Sequence, residues 1–143
     1  MNRRRLVPVV MCALWLGGCA SVPSHTPTLY EQLGGEHGVA AITSNLLDAF
    51  ARDPQVAPSF DHVDINRFQA YFADYICQIA DGPCRYKGDS MAAVHRGMHI
   101  NAAMFNAVVE DLIAAMNRQR VPVRVQNRLL ARLAPERKDI VYH

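Results

Sequence analysis

Apolar side chains recur every three to four positions through most of this chain, and strand-like alternation is nearly absent. Thr28 precedes Leu29-Tyr30-Glu31-Gln32-Leu33 with a capping-box spacing to Glu31, which predicts a short helix stopped by Gly34-Gly35. Val39, Ile42, Leu46 and Phe50 share one face of a second helix, and Pro54 and Pro58 bracket the turn that follows. Ile65, Phe68, Phe72, Tyr75, Ile76 and Ile79 mark a third helix, capped by Asp64 and ended by Asp81-Gly82-Pro83. Asn101 caps a long helix with Phe105, Val108, Val109, Leu112, Ile113 and Met116 on its inner face. Pro122 suits the first turn of a final helix carrying Val125, Leu129, Leu130 and Leu133. The pattern predicts one all-α domain of about 115 residues.

The periodicity breaks once, in the middle. Residues 81–90 form a loop longer than a small helical domain normally uses, and Met91 to Gly97 leave room only for a short helix. That helix carries His95 on a stretch otherwise made of Met91, Ala92, Ala93 and Val94. A histidine in apolar surroundings is either a hydrogen-bonded core group or a ligand, and the residues alone leave both open. Periodicity alone also admits a binding module, a structural partner or a cofactor carrier.

Composition narrows the classes. Half of the 143 residues are hydrophobic and a fifth are charged, which excludes a disordered or collagen-like chain and a disulfide-dense mini-protein. The formal charge of +2 is unevenly placed. Arg3, Arg4 and Arg5 supply three of the 15 basic side chains, so the chain beyond residue 18 has 12 basic against 13 acidic groups. No nucleic-acid partner is indicated for the body of the protein.

The positive flank at Arg3–Arg5 is followed by an apolar run from Leu6 to Leu16, too short to span a bilayer, as in a secretory signal peptide. Leu16-Gly17-Gly18-Cys19 resembles the lipobox of bacterial lipoproteins. That resemblance implies cleavage before Cys19, lipid on its thiol and new amine, and a firm membrane anchor. Residues 1–18 then read as the signal peptide, 19–27 as a spacer and 28–143 as the domain. The lipobox implies export to the cell envelope, and Ala20 after the cysteine is similar to an outer-membrane sorting context, with the domain facing the periplasm. With Cys12 and Cys19 so assigned, Cys77 and Cys84 remain. They are either a disulfide across the Gly82-Pro83 turn, as export permits, or two free thiols.

Leu29-Tyr30-Glu31-x-Leu33-Gly34-Gly35 resembles the opening motif of the truncated haemoglobins. Gly82-Pro83-x-x-Tyr86-x-Gly88-x-x-Met91-x-x-x-His95 is similar to their haem-binding signature, and Ile100-x-x-x-x-Phe105 and Val121-Pro122 fall in the family's register. The likeness runs from Leu29 to about Pro122 and is nearest to the group-one subfamily. It implies a two-over-two helical sandwich around one b-type haem, held without covalent attachment, that binds O₂, NO or CO. His95 takes the place of the proximal iron ligand. Met91 is placed against the haem face, Tyr86 and Lys87 within reach of the propionates, and Phe60 as an aromatic packed on the haem. His37, His62 and His99 have no ligand spacing.

The distal side departs from that pattern. Leu47 stands where the family usually has tyrosine, and Phe68 and Phe72 occupy the two main distal places on the next long helix. The expectation is a dry pocket with Tyr71 as its only polar group, Gln69 being spaced to point away. Without a donor to iron-bound O₂, tight oxygen storage and family-like nitric-oxide dioxygenation lose their support. An enzymatic role, a dioxygenase or a peroxidase, needs an unidentified reductase, since nothing here binds flavin or nicotinamide. The alternative is a haem-free helical envelope lipoprotein that uses the same fold as an interaction module.

Overall fold

The Thr28 hydroxyl accepts from the Glu31 N–H at 3.1 Å, and the Glu31 carboxylate accepts from the Thr28 N–H at 2.7 Å. This reciprocal cap starts α1 (Leu29–Gln32). Gly34, at φ +98°, then reverses the chain so that α2 (Gly35–Phe50) begins at once. Gly38 is required by close packing: a Cβ there would lie 2.0 Å from the Leu33 carbonyl oxygen.

The computed structural model describes residues 25–142. Residues 1–24, on which the expected signal peptide and Cys19 fall, lie outside them. A 3₁₀ turn, Ala57–Phe60, fills the connection after α2. Asp64 accepts from the Arg67 N–H at 3.0 Å and starts α3 (Ile65–Ile79). Ser90 caps α4 (Met91–Val94), and Asn101 caps α5 (Ala102–Arg118) through the Met104 N–H at 2.9 Å. α6 spans Val123–Leu133.

Three features differ from the sequence expectation. Pro122 sits one place before the first turn of α6, in extended conformation (ψ 139°). Nor is α6 the last helix, because a 3₁₀ turn at Ala134–Glu136 leads into α7 (Arg137–Ile140). The short helix expected up to Gly97 is a single α-turn that ends at His95.

α2 is the hub: it packs along α5 and also against α3. α1 is wedged against α2 and α6, and α7 rests on α4. Leu29, Ile42, Leu46, Ile76, Met116 and Leu129 are fully buried at the centre. Gln126, also buried, donates to the Asn117 side chain and the Val121 carbonyl at 2.8 Å each and so fixes the α5–α6 corner. The buried core jumps in sequence from Ala80 to Ala107. The whole segment that carries α4 and His95 contributes nothing to it.

Candidate functional site

His95 closes α4. Its backbone N–H donates to the Met91 carbonyl at 3.1 Å, and its ring Nδ1 lies 2.8 Å from that same oxygen. A carbonyl can only accept, so Nδ1 carries a proton, and in the neutral ring the lone pair then lies on Nε2. This is how a ligating imidazole is oriented by its second nitrogen. Among the described residues no cluster of His, Cys, Asp or Glu could hold a metal ion by itself.

The loop before α4 is fastened to α3 at several points. Cys77 and Cys84 are joined in a disulfide, with Cα atoms 5.7 Å apart, which settles the open choice at these cysteines. The Tyr86 N–H donates to Gln78 Oε1 at 2.9 Å. Arg132 of α6 donates to the Ile79 carbonyl and, at 2.6 Å, to the Asp81 carboxylate. Gly82 leaves no room for a side chain: a Cβ would lie 2.6 Å from Cys77 Sγ and 2.8 Å from the Tyr30 ring. At Gly88 a Cβ would meet the Tyr86 hydroxyl at 2.2 Å.

Tyr86 uses its hydroxyl inside the loop, donating to the Asp89 carbonyl at 2.9 Å. Its ring stands edge-on to Tyr75 at 5.2 Å and to Tyr71 at 6.1 Å. Burial, then the charge of Asp89, raises its pKa above the ordinary phenol value. Lys87 is exposed. Met91 is half-buried beside His95, while Val94 and Met98 present 47% and 38% of their surface to solvent.

A group of aromatic rings gathers where α2, the 3₁₀ turn and α3 meet. Phe60 stacks on Phe50 at 5.0 Å and meets Phe68 edge-on at 5.1 Å, and Phe68 stacks on Phe72 at 5.6 Å. A cavity of about 400 Å³ opens here, with Leu47, Phe50, Phe60 and Ile65 in its lining together with Asp48 and Asp61. Tyr71 belongs to a different neighbourhood, under the Arg67 guanidinium at 5.4 Å and against Tyr86. The structure thus brings Leu47, Phe60, Phe68 and Phe72 into one apolar group and sets Tyr71 with Tyr86 and the loop. A second groove, about 270 Å³ between α2 and α5, is polar, lined by Asn45, Arg52, Asp53, Asp111 and Arg118 among others, with no aromatic side chain or histidine.

Two participants escape sequence reasoning. Tyr75 has a buried hydroxyl with no hydrogen-bond partner, and burial, then the charge of nearby Glu136, pushes its pKa well above the phenol range. Periodicity marks it only as core. Arg132 clamps the loop from 51 residues away in sequence, a contact that no local signal announces.

This is a small globin architecture, a helical sandwich with His95 presented at the end of the short α4. The bacterial-like globin family matches residues 28–142, and the chain belongs to it. It is 29% identical over 114 residues to the group 1 truncated haemoglobin of Tetrahymena pyriformis, covering 80% of this chain and 94% of that protein. It is 28% identical over 85 residues to the group 1 truncated haemoglobin of Nostoc commune, covering 59% and 72%. The crystal structure of the T. pyriformis protein in its Fe(III) form superposes with a TM-score of 0.79 at 28% identity, covering 82% of this chain and all of that one. The two-over-two haemoglobin of Synechococcus superposes at 0.76 and 21% identity, which bears on the fold alone. The fold is the two-over-two globin sandwich. The T. pyriformis protein has also been solved as variants at one tyrosine and at two glutamines 21 and 25 positions further on. The same spacing separates Leu47 from Phe68 and Phe72 here.

Proposed function

We propose that this protein is a haem-binding truncated globin that reversibly takes up a diatomic gas, and that it works at the cell envelope on a lipid anchor at Cys19. The observation that carries the first part is the His95–Met91 hydrogen bond, which engages Nδ1 and turns Nε2 into the ligating nitrogen of the neutral ring, in the signature position of a globin family member. His95 would hold the iron. Met91, Phe60, Phe68 and Phe72 would supply the apolar faces, and Tyr71, Tyr86 and Lys87 would stand toward the propionate edge. When bound, the haem would supply an iron that takes up O₂, NO or CO on the Phe68 and Phe72 side. The chain's own contribution on that side is exclusion of water without a hydrogen-bond donor, which favours CO and NO relative to O₂. The disulfide is consistent with an oxidising compartment, and the lipobox-like Leu16-Gly17-Gly18-Cys19 supports the anchor.

An absorption titration with haemin, followed by reduction and CO, tests the haem. Stoichiometric uptake by the natural chain, lost or spectrally altered in His95→Ala, is the expected result. Equal, weak uptake by both overturns the reading in favour of a haem-free interaction module. Mass analysis of the N-terminal peptide tests the anchor: acylated Cys19 in the membrane fraction is expected, and an unmodified Cys19 on a soluble protein overturns it.

A further inference from the structure

The charges of this protein are segregated, and the segregation has a direction. Residues 112–135 contain five arginines, Arg118, Arg120, Arg124, Arg128 and Arg132, and no acidic residue. The chain beyond residue 18 is otherwise acidic in balance, so this stretch is a positive stripe on a nearly neutral molecule. Arg124 and Arg128 lie four apart on the exposed face of α6, and Arg120 sits in the turn just before it. Three acids are engaged: Asp81 by Arg132, Asp48 by Arg118 at 3.9 Å, and Glu31 by His25 and the Thr28 N–H. Among the described residues Arg120 and Arg124 have no ion-pair partner. Val123, between them, is 67% exposed, an apolar side chain on a basic face.

The stripe lies where the chain enters the domain. Arg128 donates to Gln32 Oε1 at 2.9 Å, and Gln32 in turn donates to the Pro27 carbonyl at 2.8 Å. From Pro27 back to Cys19 are eight residues, which reach about 28 Å when extended and about 16 Å as a flexible coil. A lipid on Cys19 therefore holds this face within a short tether of the bilayer. We propose that the α6 stripe of Arg120, Arg124 and Arg128, with Val123, docks on anionic phospholipid headgroups and sets the orientation of the domain on its membrane. The source of that surface rests on the anchor proposed above; the affinity of the stripe does not. Basic side chains near an anionic surface each contribute about fivefold in partition, and the attraction decays within a Debye length of about 8 Å.

The part spanning residues 25–143 serves for the test without lipid or signal. Its core is closed within itself, the globin family match falls within it at residues 28–142, and the solved T. pyriformis chain is covered over its whole length by 82% of this chain. Co-sedimentation is measured with phosphatidylcholine vesicles and with vesicles containing about a third phosphatidylglycerol. Binding to the anionic vesicles only, abolished by about 0.5 M salt and weakened about 25-fold in Arg120→Gln/Arg124→Gln, is the expected result. A thermal midpoint equal to that of the unaltered part shows that the variant is folded. Equal binding to both vesicle types, an unchanged affinity in the variant, or a single-stranded oligonucleotide that outcompetes the vesicles overturns the proposal. The state of Cys19 is read separately on the full chain. Failure of the anchor and failure of the stripe are thereby distinct results.

Discussion

On the proposed function, Leu47 is the residue at which ligand chemistry can be tested most directly. It is half-buried on the wall of the 400 Å³ cavity, beside Phe50 and Phe60, at a position that offers neither donor nor acceptor. A hydroxyl there would gain a hydrogen bond to bound, partly negative O₂ and change nothing for an apolar ligand. Leu47→Tyr is therefore expected to slow O₂ dissociation roughly ten- to a hundredfold, the equivalent of about 1.5–3 kcal/mol. CO dissociation should move far less, and stopped-flow measurement of both gases checks the difference. Tyr71 supplies the control. Its ring is held between Arg67 and Tyr86, so it must abandon two contacts to enter the apolar group. Tyr71→Phe is expected to leave the iron–CO stretching frequency unchanged. A shift would show that Tyr71 is the distal donor after all.

The loop from Asp81 to Ser90 behaves as an element although it has no regular structure. The disulfide, the Arg132 clamp and the Tyr86–Gln78 bond hold its start and middle, and Ser90 hands it to α4. Closing a loop of this size constrains the unfolded chain by about 2–3 kcal/mol. Cys84→Ser should lower stability by about that much against the oxidised protein and by little against the reduced one, as denaturant titrations would read. The Arg132 hydrogen bond holds the Asp81 carboxyl below its ordinary pKa. A depressed acid stabilises the fold above that value and loses its contribution as pH falls through it. Asp81→Asn should accordingly be less stable than the natural protein at neutral pH. The gap should close in acid, below about pH 4, in thermal melts followed by circular dichroism. The elements themselves were legible where a local bond decides them: Thr28, Asp64 and Asn101 each cap the helix their spacing announces. Histidine, methionine and glycine in register marked the site for the same reason, since they lie on one continuous segment. What stayed hidden depends on distant partners. Arg132 reaches across 51 residues, and α7 exists because it has α4 to lie on, with the Tyr142 N–H bonded to the Ile100 carbonyl at 2.8 Å.

At the scale of the whole molecule, stability is divided unevenly. α2, α5 and the inner faces of α1, α3 and α6 share one buried core, whereas no residue from 81 to 106 joins it. The segment that bears His95 is thus held by the loop's covalent and polar ties and by α7, not by burial of its own apolar side chains. Regions with few buried apolar contacts open at low free-energy cost. A haem packed between Met91 and the Phe68–Phe72 wall would give this segment the apolar partner that the protein alone does not provide. Ligand binding to the folded state adds stability as the logarithm of its excess over the dissociation constant, about 4 kcal/mol at a thousandfold excess. The gain should be local as well as global. Hydrogen exchange followed by mass spectrometry should show fast exchange in peptides from 88–100 and 137–142 of the haem-free protein, beside slow exchange in α2 and α5. Haemin should slow the first two and leave the last two nearly as they were. Protection confined to α2 and α5, with no change around His95, would mean that the segment is already stable by itself, and that the division of the molecule into a rigid core and a cofactor-dependent flank is wrong.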